Sequence, residues 1–289
     1  MKTTMMASGT AFLKAVEAQY PEEERLFDDP FSELLLSGAF KLMINFMKRR
    51  KGLDYMVRVR EKSTPGVLGG ILCRNRYFDD VVAAAIEEGF DTLVNLGAGY
   101  DTRALRLQDI QSLKVFEIDH PDVIQEKKRR MDQAGLKVPA NLTLVSVDFD
   151  RQDLKTELEK AGYSLKDRTL FIMEGVTQYI ARASFEDTLR YAALAAAGSQ
   201  ISFTYVIQDV FDYPEKYPEH KQLLKQFKMF KLTNLTGYSQ EEMRGYLKGF
   251  GLELQEDVGA DYFKTNYLKP KKRELSLMRI ERVVLAEVL

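Results

Sequence analysis

The chain has 289 residues, which at about 150 per domain leaves room for two domains or for one α/β domain with additions. Its 45% hydrophobic and 29% charged residues are ordinary globular composition, so disordered and fibrous classes are excluded. A net charge of −1 provides no global basic field for nucleic acid or an anionic membrane, and one cysteine with two histidines cannot build a Cys/His metal cluster.

The lone Cys73 suits a reducing compartment. The first residues have no apolar h-region, and the longest apolar run, Tyr191 to Ala197, falls far short of the roughly 20 residues that span a bilayer. The expected location is cytoplasmic, with neither nucleic acid nor membrane as partner.

Residues 1–73 read as a helical preface with apolar positions such as Phe12, Leu34, Leu35, Ile44 and Phe46. The spacing of Tyr77, Val81, Val82, Ala85 and Ile86 predicts a helix over Arg74 to Glu88, stopped by Gly89. Beyond it, short apolar runs predict strands at Asp91 to Leu96, Lys114 to Asp119, Leu142 to Asp148, Thr169 to Glu174 and Gln200 to Ile207. Helical stretches lie between them at Thr102 to Leu107, Pro121 to Ala134, Asp153 to Ala161 and Ser184 to Ala197. Strands without polar alternation are covered on both faces, and the strand–helix rhythm specifies a parallel sheet with helices on either side.

The rhythm breaks at Asp209 to Tyr238, rich in Tyr, Phe and Lys, which reads as an insertion at the sheet edge. Its aromatics Phe211, Tyr213, Tyr217, Phe227 and Phe230 could line an acceptor pocket or form a packed lid core. Ser239 to Glu242 has capping-box spacing for a helix running to about Lys248. Gly251 to Val258 and Ile280 to Val288 then read as closing strands, antiparallel because no long crossover helix separates them. The expected organisation is one domain: a cap (1–73), a cofactor-binding core (74–207), a lid-like insertion (208–238) and a C-terminal helix with closing strands (239–289).

The sharpest motif is Val94-Asn-Leu-Gly97-Ala-Gly99-Tyr-Asp101-Thr102-Arg103, a strand entering a Gly-X-Gly turn and then a helix. Glycines there let the backbone turn tightly and approach a ligand. The next strand ends in Asp119, which can accept the hydroxyl hydrogens of a ribose, so the pair implies a nucleoside. Thr102 in the third position and the anionic Asp101 disfavour a pyrophosphate, and hence a nicotinamide dinucleotide. They suit S-adenosylmethionine, which brings ribose, adenine, a sulfonium and an ammonium without phosphate. Asp148 and Glu174 close two further strands, so Asp101, Asp119, Asp148 and Glu174 are expected to rim one crevice that attracts a cation.

Leu96 to Leu107, with Glu117-Ile-Asp119-His-Pro-Asp-Val123, Lys127, Asp148, Glu174-Gly175 and Tyr179, resembles the leucine carboxyl methyltransferase family, and within it the bacterial branch of polyketide-type O-methyltransferases. The resemblance implies a class I methyltransferase, Rossmann-like, seven-stranded mixed sheet binding S-adenosylmethionine. By it, Gly97 and Gly99 contact the methionine part, Asp119 the ribose, Asp148 the adenine amine and Glu174 the methionine side. It also gives the cofactor carboxylate to an arginine before the first strand, Arg74, with Arg76 as rival.

Phe203-Thr204-Tyr205 departs from the Phe-Asp-Tyr frequent in that branch, and Asp101-Thr-Arg103 from the branch that methylates a protein C-terminus. The expected reaction is in-line attack of an acceptor oxygen, a carboxylate or hydroxyl of a small or medium-sized molecule, with Tyr179 and Tyr205 orienting it. Thr204 keeps open a non-catalytic S-adenosylmethionine-binding protein as the alternative, beside methylation of a protein C-terminus. The basic runs at 48–51, 127–130 and 271–273 read as solvated faces, His120 as a local hydrogen-bonding residue and His220 as solvated.

Overall fold

The computed structural model describes residues 2–148, 152–229 and 236–289. Among the described residues seven strands, β1 (Thr92–Leu96), β2 (Lys114–Asp119), β3 (Leu142–Ser146), β4 (Thr169–Met173), β5 (Gln200–Val206), β6 (Leu252–Val258) and β7 (Glu281–Val288), form one sheet in the order β3-β2-β1-β4-β5-β7-β6. Neighbours among β1 to β5 are parallel, and β7 runs antiparallel between β5 and β6. This is the mixed sheet of the class I methyltransferase fold, with the two closing strands antiparallel as their short separation predicts.

Four helices precede the sheet: α1 (Lys2–Glu17), α2 (Gly38–Met47), α3 (Arg50–Ser63) and α4 (Val67–Glu87). The crossovers are α5 (Arg103–Arg106), α6 (Pro121–Gln133), α7 (Leu154–Lys160) and α8 (Arg182–Ala192). Beyond β5 come α9 (Asp209–Asp212), α10 (Lys221–Met229), α11 (Met243–Lys248) and α12 (Ala260–Phe263).

Every residue of β1 and β4 is buried, and side-chain alternation divides their apolar atoms between two cores. Val94, Leu96, Phe171 and Met173 face a cluster completed by Phe185 and Leu189 of α8, whereas Leu93, Leu170 and Ile172 face one completed by Leu72, Phe78 and Val82 of α4. A third cluster joins α1, α2 and α3 to Tyr100 and α6, and so seats the N-terminal helices beside the glycine turn.

Some boundaries differ from the sequence expectation. Helix α4 begins at Val67 rather than Arg74, because Gly66 adopts a left-handed φ of 77° and two interior glycines serve packing. A Cβ on Gly70 would stand 2.7 Å from Met278 Cε, and one on Gly69 would strike the Ser276 carbonyl. Helix α8 stops at Ala192, and the alanine-rich stretch after it forms turns. Ser239 Oγ accepts the Glu242 N–H at 3.4 Å, but the helix starts only at Met243.

The insertion carries α9, α10 and two 3-10 turns, and Phe211, Tyr217 and Leu224 pack on a small core of Val67, Val206, Val210, Met278 and Ile280. Tyr213 is exposed instead, Phe230 lies outside the described residues, and the Phe227 side chain is likewise not described. His220 is buried, not solvated: Glu219 Oε1 lies 3.8 Å from its Nε2, and burial pushes its pKa down. Two basic runs are also not simple solvated faces. Lys127 and Arg130 are buried on the inner side of α6, and Arg273 is buried against Glu17 at 3.0 Å. No described helix is long and apolar enough to cross a membrane.

Candidate active site

β1 pairs with β2 on one side and β4 on the other, so chain order reverses at β1, the switch point outside whose strand ends open α/β sheets bind their ligands. The glycine turn lies there. Gly97 and Gly99 hold left-handed φ values of 74° and 54°, and the Gly97 and Ala98 N–H groups both donate to the Ile118 carbonyl, at 2.8 and 3.1 Å. A Cβ on Gly97 would stand 2.5 Å from Val176 Cγ2 in the loop after β4, and one on Gly99 would stand 3.3 Å from Ala7 Cβ of α1. The turn is thus enclosed by that loop and by the N-terminal helix.

At the end of β2, Asp119 accepts the Gly99 N–H at 2.7 Å through Oδ2 and the His120 N–H at 2.7 Å through Oδ1. Burial pushes its pKa up, while the two amides favour the ionised form. A carboxylate oxygen has lone pairs beyond the one it gives an amide, so each can also accept from a ribose hydroxyl. His120 is the local residue expected, its Nδ1 accepting the Asp122 N–H at 3.3 Å as the cap of α6.

Asp101 and Glu174 are not the bare acidic rim expected from their strand-end positions. Asp101 accepts the Arg103 N–H at 2.6 Å and Arg103 Nη1 at 2.5 Å; burial would raise its pKa, but Arg103, Lys14 and Lys127 hold it well below the usual range. Glu174 accepts Arg103 Nη2 at 2.9 Å and Arg74 Nε at 3.1 Å, and these arginines outweigh its burial and lower its pKa. Both charges are therefore answered within the fold, which corrects the expectation that these two carboxylates help attract a cation. Asp148 is partly exposed beyond β3.

Asp101 caps the Arg103 amide that a phosphate would need, and α5 spans only four residues.

Arg103 organises this region, a role that nothing near it in the sequence announces. It is buried, donates Nε to Asp79 at 2.7 Å and reaches the Asn75 carbonyl at 3.1 Å, besides its bonds to Asp101 and Glu174. Arg106 bonds Asp79 at 2.8 Å, and Asp29 accepts Thr102 Oγ1 at 2.7 Å. Lys127 joins Glu117 in a short ion pair and donates to the Asp101 carbonyl at 2.6 Å. The signal for Asn75 and Asp79 is that both stand at helical spacing between the buried apolar residues Leu72 and Val82 of α4.

Arg74 lies in the interior of α4. Its Nη1 bonds Glu281 at 2.7 Å and its Nε bonds Glu174, while Nη2 would stand 2.7 Å from a Cβ on Gly175, whose φ is 70°. The rival Arg76 is half-exposed and pairs with Asp80 at 2.8 Å, away from the crevice. Tyr179 closes the 3-10 turn after Gly175, and burial raises its pKa against the opposing Arg74 charge.

Tyr205 does not belong to the site. It shares a face of β5 with Phe203 in the core under α8, and its hydroxyl donates to Asp257 on β6 at 2.9 Å. Tyr205→Phe should leave turnover unchanged and lower stability by about 1 kcal/mol, because Asp257 keeps Arg282 at 2.7 Å; steady-state kinetics and urea denaturation test this. The next side chain matters more than the departure suggested: Thr204 Oγ1 accepts the Gly175 N–H at 2.7 Å, and its carbonyl accepts the Thr177 hydroxyl at 2.5 Å. Thr204 holds the loop that abuts Gly97.

The comparisons with known proteins agree with this architecture. Residues 7–193 match the family model described as leucine carboxyl methyltransferase. A Mycolicibacterium smegmatis protein with the provisional name S-adenosyl-L-methionine-dependent methyltransferase is 31% identical over 208 residues, covering 68% of this chain and 64% of that one. The chain therefore matches just under two thirds of that relative's length. A Mycobacterium bovis protein of the same provisional name is 28% identical over 92% of this chain and 77% of its own. Among solved structures, a DUF574 family protein from Streptomyces avermitilis aligns over 100% of both chains with a TM-score of 0.59 at 11% identity. A provisionally named methyltransferase from Thermobifida fusca aligns over 89% of this chain and 92% of that one, with a TM-score of 0.54 at 14% identity. These two likenesses establish the fold, and the match over residues 7–193 establishes the lineage: the chain belongs to the leucine carboxyl methyltransferase family.

Proposed function

We propose that the protein is an S-adenosylmethionine-dependent O-methyltransferase acting on a carboxylate or hydroxyl of a small or medium-sized molecule. The observation that carries the reading is the enclosed Gly97–Gly99 turn bonded to Asp119, within a chain of this family. The residues fit the cofactor: the turn leaves no Cβ in the cradle, Asp119 offers acceptors for a ribose, and the blocked Arg103 amide offers nothing to a phosphate. When bound, S-adenosylmethionine supplies a methyl group activated by its sulfonium.

In this reading Asp119 holds the ribose and Asp148 the adenine amine, while Gly97, Gly99, Asp101 and Glu174 shape the methionine end. Arg74 directs Nη2 to the cofactor carboxylate, its other nitrogens being held by Glu174 and Glu281. Tyr179 orients the acceptor oxygen without taking its proton, because burial disfavours the phenolate. The chain's contribution is to hold both reactants at attack distance and to exclude water, with residues 2–30 and the described parts of the insertion, 209–229 and 236–238, closing over them.

The test is calorimetry with S-adenosylhomocysteine and NAD, followed by labelled methyl transfer to a panel of carboxylic acids, phenols and alcohols. Binding of NAD with no response to the sulfur nucleoside would refute the reading. A carboxylate acceptor, with a pKa near 4, gives a rate almost flat from about pH 6.5 to 8.5, whereas a phenol with a pKa near 10 gives a rate that climbs with pH.

A further inference from the structure

We propose that α2 and α3 form a docking face for an anionic lipid surface. Helix α2 is apolar on both sides. Ile44 and Met47 pack inward on Leu35, Leu36 and Leu53, while Leu42, Met43 and Phe46 point outward, Leu42 72% and Phe46 57% exposed. A helix apolar all round is normally covered on all sides, and this one is covered on one.

Helix α3 continues the face. Its outward positions are Lys51, Tyr55, Arg58, Val59 and Lys62, recurring at helical spacing, with Tyr55 60% exposed and no acid among them. A Cβ on Gly52 would collide with the Phe46 carbonyl, so the two helices meet closely at their junction and present one surface.

Charge decides what this surface fits. Residues 38–63 carry eight basic and two acidic side chains in a chain whose net charge is −1, so the overall balance conceals a strong local segregation. Lys48 is answered by Glu33 and Arg50 by Glu24 and Asp54, but Lys41, Arg49, Lys51, Arg58 and Lys62 join no ion pair among the described residues. A second copy docking through the same face would bring these cations against their own images. Nucleic acid would meet the charges but leave Leu42 and Met43 without a partner. An anionic bilayer satisfies both parts: the outstanding apolar side chains enter the interface while lysines and arginines meet the headgroups.

The test is co-sedimentation of the full chain with vesicles of phosphatidylcholine alone and of phosphatidylcholine with about one third phosphatidylglycerol. The expected result is binding to the anionic vesicles alone, weakened at about 1 M salt. At about fivefold per cation, Lys51→Ala with Arg58→Ala and Lys62→Ala should weaken it on the order of a hundredfold. Leu42→Glu with Phe46→Glu should weaken it by about tenfold or more while leaving S-adenosylhomocysteine binding unchanged, which shows that the fold is intact. Equal binding to both vesicles, no binding to either, or a dimer that Leu42→Glu dissociates would overturn the proposal.

Discussion

Arg103→Met is expected to lower folding stability by about 3 to 5 kcal/mol, the scale for removing one partner of a buried ionic cluster. The guanidinium touches three carboxylates, Asp79, Asp101 and Glu174, and a methionine of similar length would leave Asp101 without its principal counter-charge. Arg74 and Arg106 would still serve Glu174 and Asp79, so the loss falls mainly on Asp101 and on the turn it fixes.

The pH dependence gives this prediction a signature. Asp101 and Glu174 both have folded pKa values below their ordinary values of 3.8 and 4.5, so their contribution is complete above those values and fades as the pH falls through the folded ones. Without Arg103 both depressions shrink. The deficit of the variant is then largest near neutral pH and narrows on acidification below about pH 4, as the carboxyls become protonated first in the unfolded chain and then, nearer the lower folded values, in the folded one. Urea denaturation of both proteins at neutral and acid pH reads the difference; a deficit that does not change with pH would show that packing, not charge, is what Arg103 contributes.

The same cluster marks where the sequence stops being legible. Five parallel strands, the glycine turn and the acid at the end of β2 could be read because each announces itself locally, by an apolar run or by a turn chemistry. Arg74 with Glu281 and Arg273 with Glu17 are bonds between residues far apart in the chain, and nothing near either partner announces the other. Hence a basic run such as 127–130 looks solvated, although helical geometry turns Lys127 and Arg130 inward and leaves Lys128 and Arg129 outside. The start of α4 was hidden for the opposite reason. Gly69 and Gly70 ordinarily argue against a helix, and only the segment at 275–278 lying on them explains their presence. The place of Tyr205 is legible, since strand alternation puts it with Phe203 and opposite Thr204, the side chain that reaches the loop beside the glycine turn.

The second large effect is expected at Asp119. Asp119→Ala should weaken S-adenosylhomocysteine binding by about 1.5 to 3 kcal/mol, the range for hydrogen bonds to a charged group, which is about 10- to 150-fold in dissociation constant. The substitution also removes the acceptor for the Gly99 and His120 amides, so a loosened turn could mimic part of the loss. A ligand comparison separates the two causes. The wild-type protein should bind adenosine more tightly than 2′,3′-dideoxyadenosine, because only the former donates hydroxyl hydrogens to the carboxylate, and the variant should bind both alike. If the preference survives in Asp119→Ala, the ribose is held elsewhere and Asp119 serves only to brace the turn; if it disappears while circular dichroism is unchanged, the carboxylate holds the ribose directly.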